Sequence, residues 1–193
     1  MKIGKYEIKH NIIQGGMGVG ISWDKLAGTV SKEGGLGVIS GVGTGYYKEN
    51  ESLDIKMRRD KPVDVLNFYS KDALKRIIDK ARDICGDAPL ACNILYACND
   101  YGRIVEDACE AGINIIITGA GIPTNMPAFA KDYPDVALIP IVSSARALKL
   151  ICKKWKRYDR LPDAVIVEGP LSGGHQGFTY EQCFQEEYSL ENI

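Results

Sequence analysis

Short runs dominated by apolar, mostly β-branched residues recur along this chain and set the tightest limit on how it can fold. They are NIIQ (11–14), LGVIS (36–40), LACNIL (90–95), INIIIT (113–118), VALIPIV (136–142) and DAVIVEG (163–169). A strand with one wet face alternates apolar and polar residues. A continuously apolar run must instead be covered on both faces, as in a parallel sheet flanked by helices. Helical segments fill the intervals, with readable ends. Ser70 can cap KDALKRIIDKARDIC, whose Leu74, Ile77, Ile78, Ala81 and Ile84 share a face, and Gly86 stops it. Ile104, Val105, Ala108 and Cys109 repeat the pattern before Gly112, and Ser144 precedes ARALKLICKKWKRY. Thr179 and Gln182 form a capping-box pair that predicts a last helix. Strand–helix alternation with short loops specifies an α/β protein with a parallel sheet. A doubly wound sheet would be complete with six strands. A (β/α)8 barrel needs eight strands and about 250 residues, of which this chain would supply six β/α units. Periodicity leaves both architectures open.

The totals exclude several functions. With 24 basic and 25 acidic side chains the formal net charge is −1, so nothing draws the chain to nucleic acid or an anionic membrane. No apolar run reaches the roughly 18–20 residues that span a bilayer. The start, MKIGKYEIKHNII, has scattered charges and no apolar core, unlike a secretory signal. A cytoplasmic protein is expected, with residues 1–193 as a single domain. Residues 41–67, rich in charge and glycine, are longer than an ordinary βα connection and are expected to hold a lid, an insertion or a short extra helix. The six cysteines form no CxxC pair and no metal-ligand spacing with the two histidines. They are expected to be reduced and buried, with no metal site.

The loops after the strands carry the chemistry. QGGMGVGIS (14–22) puts glycines directly after the first strand, where backbone N–H groups can approach a ligand. It contains neither GxGxxG nor a Walker lysine. Asn93 is a carboxamide inside an apolar strand and must find a polar partner, in the protein or in a ligand. ITGAGIPTNMP (117–127) is a second glycine-rich strand end, and Ser143 and Ser144 close the next strand as a helix cap. In VEGPLSGGHQGF (167–178), His175 stands beside Gly173 and Gly174 on a loop positioned by rigid elements. Imidazole titrates near neutrality and can accept or donate a proton without a large pKa shift. His10, between Lys9 and Asn11, reads as a surface side chain.

Taken in order, IIQGGMGVGIS, LAGTVSKEGGLGVISG, Asn93, ITGAGIP and DAVIVEGPLSGGHQGF resemble the nitronate monooxygenase family, formerly the 2-nitropropane dioxygenases. The type II flavin-dependent enoyl-acyl-carrier-protein reductases belong to the same superfamily and share these motifs. The resemblance implies an FMN-binding (β/α)8 barrel and an oxidoreductase acting on alkyl nitronates with dioxygen. It places Gly15, Gly16 and Met17 beside the flavin ring, Asn93 at its polar edge, and Gly119, Gly173 and Gly174 as further backbone approaches. It makes His175 the catalytic base. Glu168 stands before the GGH loop, separated from it by GPLS, and no family role is carried over to it.

Two alternatives stay open: an NAD(P)H-dependent enoyl-thioester reductase, and a catalytically inactive piece that acts in assembly. The expected partners are a nitronate or enoyl thioester, NAD(P)H, and either a second copy or a missing C-terminal segment. The family continues into two more strands whose loops hold the FMN phosphate. Three lost charge-assisted hydrogen bonds would leave the 193-residue chain holding FMN about a thousandfold or more weakly than a full barrel.

Overall fold

A computed structural model describes residues 1–47 and 68–193. The elements are β1 (Lys2–Ile3), β2 (Tyr6–Glu7), α1 (Asp24–Lys32), β3 (Gly37–Ser40), α2 (Lys71–Cys85), β4 (Leu90–Leu95), α3 (Tyr101–Glu110), β5 (Ile115–Gly119), α4 (Met126–Phe129), β6 (Ala137–Val142), α5 (Ala145–Trp155) and β7 (Ile166–Val167). Of the segment expected to hold a lid, residues 48–67 lie outside the described residues. Residues 41–47 make a turn and a single 3-10 turn at Thr44–Tyr46.

The large sheet decides between the two architectures. Strands β3 to β7 are all parallel, and their spatial order is their order in the chain. A doubly wound sheet reverses strand order at a switch point. A sequence-ordered parallel sheet with helices on one side is an arc of a β/α barrel. The strands' alternation builds two core layers. Leu36, Val38, Ala91, Ile115, Ile117, Ala137 and Ile139 fill the concave interior. Ile39, Cys92, Ile94, Ile116, Leu138 and Val142 pack outward against Leu74, Ile77 and Ala81 of α2, Ile104 and Ala108 of α3, and Ile151 and Trp155 of α5.

Helix ends follow the sequence signals. Ser70 Oγ and Ser144 Oγ each accept from the backbone N–H three residues on, at 3.3 Å. Gly86 (φ +59°) and Gly112 (φ +84°) follow α2 and α3 with positive φ, a backbone range that favours glycine. Where the chain enters α2, the Tyr69 hydroxyl donates to Asp107 Oδ2 at 2.7 Å, and Lys71 pairs with Asp107 and Glu110. These bonds tie α2 to α3.

Four features differ from expectation. The predicted first strand at 11–14 lies beside β3 but is reduced to one bridge, Ile13 to Leu36. The physical reason is Gln14. Its Oε1 accepts from Val38 N–H at 3.1 Å and its Nε2 donates to Val38 O at 3.2 Å, so a side-chain amide takes the place of the next ladder step. Strand β7 keeps only Ile166–Val167 of the run 163–169. The last helix is absent. Thr179 and Gln182 do make both capping-box bonds, but the chain beyond them forms only 3-10 turns, at Gln182–Phe184 and Glu186–Tyr188. No residue of 179–193 is buried, so this segment has no packed face to sustain a helix. Finally, β1 and β2 pair antiparallel as a hairpin. It delivers Ile3 and Ile8 to the interior layer and is held by Lys5–Asp135 at 2.8 Å and Tyr6 Oη to Asp135 O at 3.0 Å.

Candidate functional site

The C-terminal ends of β3 to β7 lie along one edge of the arc, and the glycine-rich loops leave the sheet on that edge. The 14–22 loop is held at its base by Gln14 on Val38. Ser22 Oγ accepts from Met17 N–H at 2.7 Å and donates to Met17 O at 3.2 Å. Ser22 is itself buried, and the Met17 side chain stays exposed. Gly15 has open space where a Cβ would project, whereas a Cβ on Gly16 would lie 2.5 Å from Asn93 Cβ and 2.9 Å from its Nδ2. The structure therefore brings Gly16 directly against Asn93.

Asn93 stands in register with Ser40, Ile117 and, one strand further, Ile139. Ile117 and Ile139 belong to the interior layer, so the alternation turns Asn93 into the concave side near its C-terminal end. Its Oδ1 is buried and accepts no hydrogen bond. The described residues hold two other such atoms, Asn125 Oδ1 after β5 and Ser172 Oγ after β7. A buried acceptor without a donor costs about 1–3 kcal/mol, and native proteins place one where a ligand or water supplies the missing donor. The 117–127 loop works differently. A Cβ on Gly119 would meet Ile141 Cδ1 at 2.9 Å, and Gly119 O accepts from Tyr96 N–H at 2.9 Å, so the bareness of Gly119 admits the side chain of β6.

The GGH loop leaves the end of β7. Glu168 N–H donates to Val142 O at 2.9 Å, which extends the β6–β7 pairing by one step. The Glu168 carboxylate Oε2 then accepts from Ser143 Oγ at 3.1 Å and from Gly177 N–H at 3.3 Å. Gly177 presses so closely on Ser143 that a Cβ there would overlap the Ser143 hydroxyl. Within the loop, Ser172 N–H donates to Gly169 O at 3.1 Å and Gln176 Nε2 donates to Ser172 O. Gly173 and Gly174 face open space, the latter at φ +96°, and His175 is exposed beside them. The sequence carries no motif that gives Gln14, Glu168 or Gly177 a role, and Ser143 reads in it as part of a helix cap. The readable signal for Glu168 is a carboxylate directly after an apolar strand and before a glycine-rich loop.

No disulfide joins the six cysteines. Cys85, Cys92, Cys98 and Cys109 are buried, and Cys152 and Cys183 are partly exposed. Among the described residues no group of three His, Cys, Asp or Glu side chains could hold a metal ion, and no helix is long and apolar enough to cross a membrane. An open groove of about 630 Å³ between Pro127, Lys131, Pro134 and Arg160 lies on the approach to β6 and β7 and contains none of the site residues. The strand-end edge fits a flat, polar-edged cofactor such as FMN. It has a buried acceptor without a donor at Asn93 and side-chain-free backbone at Gly15, Gly173 and Gly174.

The family model described as nitronate monooxygenase matches residues 1–193. Among solved structures, FabK from Thermotoga maritima matches with a TM-score of 0.64 at 29% identity, over 89% of this chain and 44% of that one. A mutant of that protein gives a TM-score of 0.64 at 27% identity, over 88% and 46% of the two chains. Nitroalkane oxidase from Streptomyces ansochromogenes matches with a TM-score of 0.57 at 16% identity, over 89% and 50%, a likeness of fold alone. The chain thus spans about half of these structures or less. No curated protein matches it.

Proposed function

The chain belongs to the nitronate monooxygenase family, and from that premise we propose that it is an FMN-dependent oxidoreductase acting on alkyl nitronates, with its site on the strand-end edge of the arc. The observation that carries this reading is the buried, unpartnered Oδ1 of Asn93 against Gly16. A cofactor with an N–H at its polar edge supplies the donor this acceptor lacks. Gly15, Gly173 and Gly174 present bare backbone around it, because a side chain at these open positions would occupy the cofactor's space. Gly16 and Met17 carry the first of these approaches against Asn93, and Gly119 belongs to the same edge with its bareness already taken by Ile141. FMN, when bound, supplies the oxidation of the nitronate ahead of reaction with dioxygen.

His175 performs the proton step. Its imidazole takes a proton from the carbon next to the nitro group of a neutral nitroalkane, and the electron pair left behind makes the nitronate. The exposed position of His175 on a glycine-flanked loop leaves room for substrate to reach it. Oxygen uptake dependent on propionate 3-nitronate, with FMN supplied in excess, is the test, and uptake no greater than in buffer containing the same FMN would remove the reading. The same preparation given NAD(P)H and a crotonyl thioester tests the enoyl-thioester reductase alternative. Thioester-dependent NAD(P)H oxidation without nitronate-dependent oxygen uptake would replace the first reading with that one.

A further inference from the structure

Resting on the reading of His175 as a base, we propose that Glu168 is a positioning residue that clamps the His175 loop to the sheet. Two parts of the chain converge on its carboxylate, and a third holds its backbone. The backbone of Glu168 is fixed by its N–H bond to Val142 O, so the side chain starts from a rigid point. Its Oε2 reaches sideways to Ser143, the first residue after β6, and across the loop to the N–H of Gly177. That N–H lies two residues beyond His175, so the clamp closes the segment 169–176 into a ring anchored at both ends. The neighbouring positions are shaped for it. Gly177 is the residue type that allows the loop to lie on the Ser143 hydroxyl, and the turn from Gly169 to Ser172 brings the chain back toward its start. Between the anchors, a Cβ on Gly173 or Gly174 would meet nothing within 4 Å. Two consecutive glycines in open space leave the apex floppy by themselves, so the geometry of His175 depends on the two ends. A base misplaced by an ångström forfeits much of its rate advantage. Glu168 touches neither substrate nor cofactor in this scheme and acts only through the loop.

The test uses Glu168→Ala, Glu168→Gln and Ser143→Ala, read by amide hydrogen exchange over residues 173–178 and by oxygen uptake. The alanine variant at 168 should raise loop exchange by about tenfold or more, since both accepted bonds are lost. The glutamine variant retains an amide oxygen that accepts the same two donors, so it should restore parent-like exchange. Ser143→Ala removes one donor and should fall between them. Neutral nitroalkane turnover should drop roughly tenfold to a hundredfold in Glu168→Ala and recover in Glu168→Gln. Oxidation of a pre-formed nitronate should hold, and Glu168→Ala should cost nothing further in a His175→Ala background. Parent-like loop exchange in Glu168→Ala overturns the proposal whatever the activity. Equal losses on nitroalkane and nitronate with a loosened loop also overturn it, because the glutamate would then support the scaffold and not the base. If the parent protein turns over no nitroalkane, the reading of His175 fails, and loop exchange alone still decides whether Glu168 is the clamp.

Discussion

Asn93 and Gly16 fix each other's position, and together they put a stability cost beside a binding role. The unpartnered Oδ1 of Asn93 destabilises the free protein, so Asn93→Leu, which keeps its branched shape without the polar atoms, should raise stability by about 1–3 kcal/mol. The same change should weaken FMN binding by roughly three- to tenfold, the share of one ordinary hydrogen bond. Thermal melts and a flavin-fluorescence titration separate the two effects. A variant that melts lower and binds FMN as before would mean the amide serves the protein's own packing. Gly16→Ala approaches the pair from the other side: with Asn93 Cβ 2.5 Å from the new methyl group, the amide must move, at a cost of about 1–3 kcal/mol. Asn93 itself was legible in the sequence, because a carboxamide in an apolar strand stands out. Its contact with Gly16 was not, because no spacing rule says which loop folds over which strand end.

At the scale of elements, the packing of α1 on β3 leaves no room at one point. A Cβ on Gly37 would overlap the carbonyl of Ala27, and Ser31 Oγ accepts from Gly37 N–H at 2.9 Å while donating to Pro89 O. Gly37→Ala should therefore push the helix off the sheet and cost upwards of about 3 kcal/mol, beyond the usual range for overpacking. A denaturant midpoint equal to the parent's would show that α1 shifts freely. The runs that became β3 to β6 were readable because both of their faces are buried, so apolarity is continuous and their length is well marked. The first strand was overread because Gln14 replaces backbone pairing with its own amide, a substitution invisible to hydropathy. The hairpin of β1 and β2 was missed although Ile3 and Ile8 flank its Gly4 turn, since two-residue strands are too short for any period. The last helix failed for the opposite reason: its cap is present, but residues 183–193 pack against no core that could hold them helical.

Across the whole molecule, burial of thiols makes stability depend on pH in the alkaline range. Burial pushes the thiols of Cys92 and Cys109 up to about 12, whereas an unfolded cysteine titrates near 8.5. Between about pH 9 and 12 the unfolded chain releases protons that the native state keeps, so stability falls as pH rises, by up to about 1.4 kcal/mol per pH unit for each thiol. Denaturation midpoints at pH 8 and pH 10 should separate, and the double variant Cys92→Ala, Cys109→Ala should narrow the gap. A gap unchanged in the double variant would assign it to other groups. The strand order that makes this sheet a barrel arc was not in the periodicity; it was carried by the family resemblance and appears directly in the parallel pairing of β3 through β7. That arc gathers Asn93, the bare glycines and His175 on one edge, and the proposed chemistry depends on His175 acting there as a base. Oxygen uptake by the parent protein and His175→Ala, each given a neutral nitroalkane and its pre-formed nitronate, tests this most directly. A base at His175 gives a loss of roughly 10²–10⁴ on the nitroalkane with nitronate oxidation nearly intact; equal losses on both substrates would contradict that role.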